Sequence, residues 1–97
     1  MWADYDSEAN ALFIDLAGAI RAAHMVEIDY RCHIDVDSEE RPIGVEILFP
    51  TDPYDDLLYA AAERFDLDPE ALIAAARAAI AAPDRKVTLK FGARAAV

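Results

Sequence analysis

The chain has 97 residues, 56% of them hydrophobic, with 19 acids against 9 bases and a formal charge of −10. That length holds one domain with a core of its own, and the acidity argues against non-specific nucleic-acid binding, which needs clustered Lys and Arg. No apolar run reaches the roughly 20 residues of a membrane span, and the acidic start Met1-Trp2-Ala3-Asp4 lacks the basic opening of a signal peptide. Cys32 is the single cysteine, so no intrachain disulfide is expected and a reducing cytoplasm is the simplest compartment. The charge is uneven. Residues 1–70 hold 18 acids and 4 bases, a net of −14, whereas residues 71–97 hold 1 acid and 5 bases. Such asymmetry is complementary within one fold or marks an acidic face for a basic partner; the intramolecular reading is the simpler.

Trp2–Asp6 reads as a short first strand. Asp6, Ser7 and Asn10 form a polar corner, and Leu12–Leu16 returns as the second strand with Leu12, Ile14 and Leu16 on one face. Ala17-Gly18-Ala19 breaks the alternation, and 19–23 has room for a helical turn. His24–Tyr30 resumes it with Val26, Ile28 and Tyr30 inward. Cys32, Ile34 and Val36 alternate against His33, Asp35 and Asp37 in the next strand. After the connection Ser38-Glu39-Glu40-Arg41, the run from Ile43 to Phe49 is the most hydrophobic strand, with Ile43, Val45, Ile47 and Phe49 sharing a face. Short strands with tight connections predict an antiparallel meander.

The period then changes from two to 3.6. Thr51 or Asp52 is expected to cap a helix with Pro53 in its first turn and Tyr54, Leu58, Ala61 and Phe65 as the buried stripe. Asp68 and Pro69 repeat the device for a second helix over 70–82, thinly striped by Leu72, Ala76 and Ile80 in a field of alanines. Pro83 stops it. Residues 85–91 alternate again, with Val87, Leu89 and Phe91 inward and Lys86, Thr88 and Lys90 outward, as a basic sixth strand. Residues 93–97 are expected to fray.

Tyr5-Asp6-Ser7-Glu8-Ala9-Asn10-Ala11-Leu12-Phe13-Ile14-Asp15-Leu16, followed by Val26–Asp29, Ile34–Asp37 and the closing Ile43-Gly44-Val45-Glu46-Ile47-Leu48, resembles a family of small bacterial domains of unknown function. Its members typically read Y-D-x-E-A-D-A-L-Y-I-x-L and close with V-G-I-E-I-L. Asn10 stands for the usual Asp and Phe13 for the usual Tyr. The resemblance covers residues 3–50 and implies a small β-rich domain, sometimes encoded beside toxin-like genes, with no catalytic residues to carry over. Residues 51–97 form a helix–helix–strand extension beyond it, within a single domain of 1–97.

Asp35-x-Asp37-x-Glu39, with Glu46 at the twelfth position, has the outline of a calcium loop. Glu40 stands where that loop requires Gly, and strands rather than helices flank it. A solvated acidic hairpin fits better, so neither metal nor cofactor is expected; a cation-binding reading would rest on Asp35, Asp37 and Glu46. Cys32 and His33 are adjacent on a strand and point to opposite faces, which defeats both a soft-metal pair and a nucleophile–base pair. The second helix offers only Arg77 beyond its first turn, too little for reading base edges.

These readings converge on an α+β fold, an antiparallel five- to six-stranded β-meander with two helices packed on one face. The expected function is a non-catalytic cytoplasmic protein-interaction module, antitoxin-like, acidic, and matched to a basic protein partner. The alternative is a small-molecule- or cation-binding domain using the acidic hairpin. A homodimer is expected, built through Leu72, Ala76 and Ile80 or by exchange of the last strand, with Lys86 and Lys90 lying near Asp35, Asp37 or Glu46 of the same chain or of its neighbour.

Overall fold

The computed structural model describes residues 1–18 and 20–89. Its first hairpin forms because Asp6 organises the corner. One Asp6 carboxylate oxygen accepts from the amides of Glu8 and Ala9, both at 3.0 Å, and Asn10 takes a left-handed conformation (φ 52°) that its short polar side chain tolerates. The Tyr5 hydroxyl donates to the Asn10 side-chain oxygen at 2.8 Å and fastens the corner. Strands β1 (Trp2–Asp6) and β2 (Ala11–Asp15) are thereby paired antiparallel, Ala3 opposite Ile14 and Tyr5 opposite Leu12.

β3 (His24–Asp29), β4 (Cys32–Val36) and β5 (Pro42–Leu48) form a three-stranded meander. β5 then lies beside β2, and β6 (Val87–Thr88) closes the far edge against β1. All six strands join one antiparallel sheet in the order β3-β4-β5-β2-β1-β6, with helices α1 (Asp55–Phe65) and α2 (Pro69–Ala81) completing an α+β fold. α2 lies over β1 and β2, and α1 over β3 and β4.

Alternation decides which face is buried. Ala3, Ile14, Val45 and Ile34 oppose one another across four strands and are fully buried, as are Leu12, Ile47 and Cys32 in the adjacent row. Leu58, Ala61, Leu72, Ala75, Ala76 and Ala79 cover them from the helices. Alanine keeps α2 slim enough to approach the sheet closely.

Several expectations are corrected. Ile14, Ile34, Val45, Ile47 and Leu58 are core residues, but Phe65 is only partly buried. Tyr30 is 70% exposed, because a register shift between Glu27 and Asp29 precedes it. Phe49 leaves the sheet through a left-handed residue (φ 54°) and is exposed. α1 starts at Asp55 with Tyr54 as its N-cap and no side-chain cap bond, so Thr51 and Asp52 do not cap it. Asp68 does cap α2, accepting from the amides of Glu70 and Ala71, with Pro69 behind it. Leu72 and Ala76 are fully buried in the chain's own core, and Ile73 is buried where Ile80 is only partly so; the apolar stripe of α2 therefore faces the sheet. β6 is shorter than the expected 85–91 and pairs with β1, four strands away from β4, so within the chain Lys86 is not beside Asp35, Asp37 or Glu46. Residues 20–23 are not helical. Lys90 and Phe91, like Ala19 and the tail at 93–97, lie outside the described residues.

Candidate interaction face

The sheet has a second face that neither helix covers. Cross-strand partners share a face, so the register writes its composition directly. One row reads Asp4, Phe13, Glu46, His33 and Glu27, running from β1 through β2, β5 and β4 to β3. The next reads Thr88, Trp2, Asp15, Gly44, Asp35 and Met25. In the first row carboxylates alternate with rings, and successive carboxylates sit two strand spacings, roughly 10 Å, apart.

The rings are held in place. Phe13 lies across Gly44: a Cβ there would stand 2.7 Å from the Phe13 Cζ, closer than van der Waals contact permits. Trp2 packs on Phe13 with ring centroids 5.7 Å apart and a 55° tilt, a favourable edge-toward-face geometry. The Lys86 ammonium caps Trp2 at 4.2 Å from the ring centroid, within cation–π range. Asp4 lies nearby, and its carboxyl is pushed up from the ordinary value by burial and then by Asp6, with Lys86 pulling the other way.

His33 is mostly enclosed, its side chain 16% exposed, between Glu27 on Nε2 and Glu46 on Nδ1, each at 3.7 Å. That is beyond hydrogen-bond range, and the buried Nδ1 has no hydrogen-bond partner. Met25, 56% exposed, ends the other row at the sheet edge.

The carboxylates singled out by the calcium-loop spacing are split apart. Asp37 is buried in the β4–β5 turn, where its two oxygens accept from the amides of Glu39 and Arg41 (2.8 and 2.9 Å) and from the Arg41 Nε (2.8 Å). These bonds hold its carboxyl below the usual range, the Arg41 amide contributing most. Asp35 and Glu46 stand on the open face in different rows. Among the described residues, no group of three or more His, Cys, Asp or Glu is arranged to hold a metal ion. Cys32 is fully buried on the helix side of the sheet, away from His33, and burial pushes its thiol up to about 11.

Sequence reading missed three things here. Trp2 and Lys86 meet only because β6 returns to β1. Phe13 and Gly44 meet only through the β2–β5 pairing. Arg31, unremarkable in a turn, donates to four backbone carbonyls, those of Leu48, Phe49, Asp52 and Pro53, at 2.8–3.2 Å. It ties the end of β5 to the approach of α1.

No helix among the described residues is long and apolar enough to cross a membrane. Neither curated proteins nor solved structures give a match to the chain. Residues 2–49, which hold all of β1 to β5 and stop before the helices, match the model of the family described as protein of unknown function, DUF2283.

Proposed function

We propose that this chain is a non-catalytic interaction module that docks a basic protein through the open face of its sheet. The row Asp4, Phe13, Glu46, His33, Glu27 carries the reading. It offers acids at regular spacing separated by rings, on a face left bare by both helices. Acidic complementarity of this kind accelerates encounter with a basic surface and fixes its register, while the rings supply the apolar contact area that interfaces use. The non-catalytic part is supported by the separation of the buried, protonated Cys32 from His33 across the sheet. An antitoxin-like role toward a basic toxin and a cytoplasmic setting are consistent with that chemistry, and we read the Tyr5–Leu16 stretch as the family's signature.

The alternative, small-molecule binding beside the acidic hairpin, has a specific observation in its favour. A cleft of about 320 Å³ is lined by Ile20, Ile43 and Phe65 with Asp37 and Arg41 at its polar end. Asp37 and Arg41 bond to each other there, and Arg41 also reaches Glu39, so a ligand would have to compete with existing pairs. At Glu27 and Glu46, by contrast, the group facing the carboxylate among the described residues is His33, 3.7 Å from each and beyond hydrogen-bond range.

Titration of the isotope-labelled chain with a lysine-rich octapeptide, followed by amide chemical shifts, tests the proposal. Shifts are expected at Asp4, Phe13, His33 and Glu46, weakening as salt rises, and reduced in the Glu27→Gln/Glu46→Gln variant. No binding at low salt, or shifts confined to Asp52 and the helix acids Asp55, Asp56 and Glu63, overturns it.

A further inference from the structure

Lys86 is an ammonium already seated on the open face. Its Nζ stands 4.2 Å from the Trp2 ring centroid, and the indole is itself backed by Phe13. Beside it opens a cleft of about 330 Å³ lined by Asp4, Tyr5, Asp6, Asp84, Arg85 and Lys86. Three carboxylates and two cations share that cleft, so the acids are answered from within the chain by residues of the basic end. That end is fastened on either side of Lys86, the Asp84 amide donating to the Tyr5 carbonyl at 2.8 Å and the Leu89 amide to the Met1 carbonyl at 2.9 Å. β6 contributes two residues, Thr88 opposite Trp2 and Val87 opposite Ala3, and both Lys86 and Thr88 are exposed. Lysine carries a long flexible stem, so its ammonium can leave the ring by rotamer changes alone, with β6 still paired.

We propose that the face of Trp2 is a lysine subsite of this docking surface, and that Lys86 is its resident competitor. A lysine side chain of the basic partner replaces Lys86 on the indole, and the displaced Lys86 returns to solvent. The occupant is an ammonium on a flexible stem: the ring face attracts the cation, and the carboxylates of Asp4 and Asp6 lie beside it. This inference rests on the docking reading above.

The experiment uses the full chain and the same lysine-rich octapeptide. Trp2 is the single tryptophan, so its fluorescence reports on this subsite directly. Lys86→Gln and Arg85→Gln each remove one positive charge from the same arm, but only the first vacates the ring. Lys86→Gln is expected to bind the peptide about two- to fivefold more tightly than Arg85→Gln does, the size of one exposed cation–π contact. Its tryptophan emission should respond to peptide more strongly than that of the unchanged chain. Adding Trp2→Leu, which keeps apolar bulk and removes the ring, should abolish the difference in affinity, with circular dichroism confirming the fold. Equal affinities for the two Gln variants overturn the competitor while leaving the docking reading intact. Absence of peptide binding to every form, with no shifts on the open face, removes the docking reading itself and this inference with it.

Discussion

Gly44 is small because Phe13 needs the room. A strand-interior glycine ordinarily weakens a sheet, and replacing it by alanine reduces the freedom of the unfolded chain. Here the added methyl would meet the Phe13 ring at 2.7 and 2.9 Å, and the ring would have to lift off the open face. Gly44→Ala is therefore expected to destabilise by about 1–3 kcal/mol, the usual cost of overpacking. The same substitution in a Phe13→Ala background should be neutral or stabilising. A double-mutant cycle by urea denaturation measures the coupling, and additive effects would show that the ring does not rest on the glycine. In the sequence Gly44 was one isolated glycine among three. Its meaning lies in Phe13, 31 positions away, and depends on β2 pairing with β5 in the observed register. Inward parity, by contrast, is a local property, and Ile14, Ile34, Val45 and Ile47 could be placed from their own strands alone.

Arg31 shows the same contrast among elements. The second helix was legible at its start, since Asp68 and Pro69 carry their capping chemistry in adjacent residues. The first was not. Thr51, Asp52 and Pro53 have the right composition for a helix start, yet the chain is still turning there, and the helix begins at Asp55. The carbonyls of Phe49, Asp52 and Pro53 in that turn are taken by the Arg31 guanidinium. One planar fork thus joins the part of the chain matched to the family with the helices that follow it. Lysine has the charge but lacks the fork. Arg31→Lys is expected to cost about 2–3 kcal/mol, within the range for hydrogen bonds to a charged donor. Amide exchange at residues 49–53 should rise before the rest of the sheet is affected. If the melting midpoint is unchanged, water serves those carbonyls as well as the guanidinium does, and the clamp explanation is wrong. A second tie works similarly at the other end, where Asp84 accepts from the Ser7 amide (2.9 Å) and hydroxyl (2.6 Å). Those bonds, the hydroxyl's foremost, hold the Asp84 carboxyl below its ordinary value.

At the scale of the whole molecule, the charge asymmetry between residues 1–70 and 71–97 is partly settled within the chain. Arg77 reaches Asp55 at 3.5 Å, and Lys86 sits on Trp2 beside Asp4. The groups that the sequence offers toward a homodimer also have partners inside the single chain. Leu72 and Ala76 are fully buried on the sheet-facing side of α2, and the last described strand is paired to β1 of its own sheet. Among the described residues one edge of the sheet is the two-residue β6, too short to template a partner strand, and the other is β3. An uncovered edge strand invites pairing, but this one carries a register shift between Glu27 and Asp29, and such bulges twist an edge away from a flat partner. Antiparallel pairing of two β3 strands about their middle would also bring two Glu27 carboxylates together, and like charges directly opposite are destabilising. Each copy would add a formal charge of −10. The 97-residue chain is therefore expected to scatter light as a monomer of 10.7 kDa at tens of micromolar and physiological salt. High salt screens the repulsion between copies but leaves the bulge in place, so the mass should hold there too. A dimer at low salt would contradict the account outright. A dimer appearing only at high salt, and strengthened by Glu27→Gln, would show that charge alone and not the bulge protects the β3 edge.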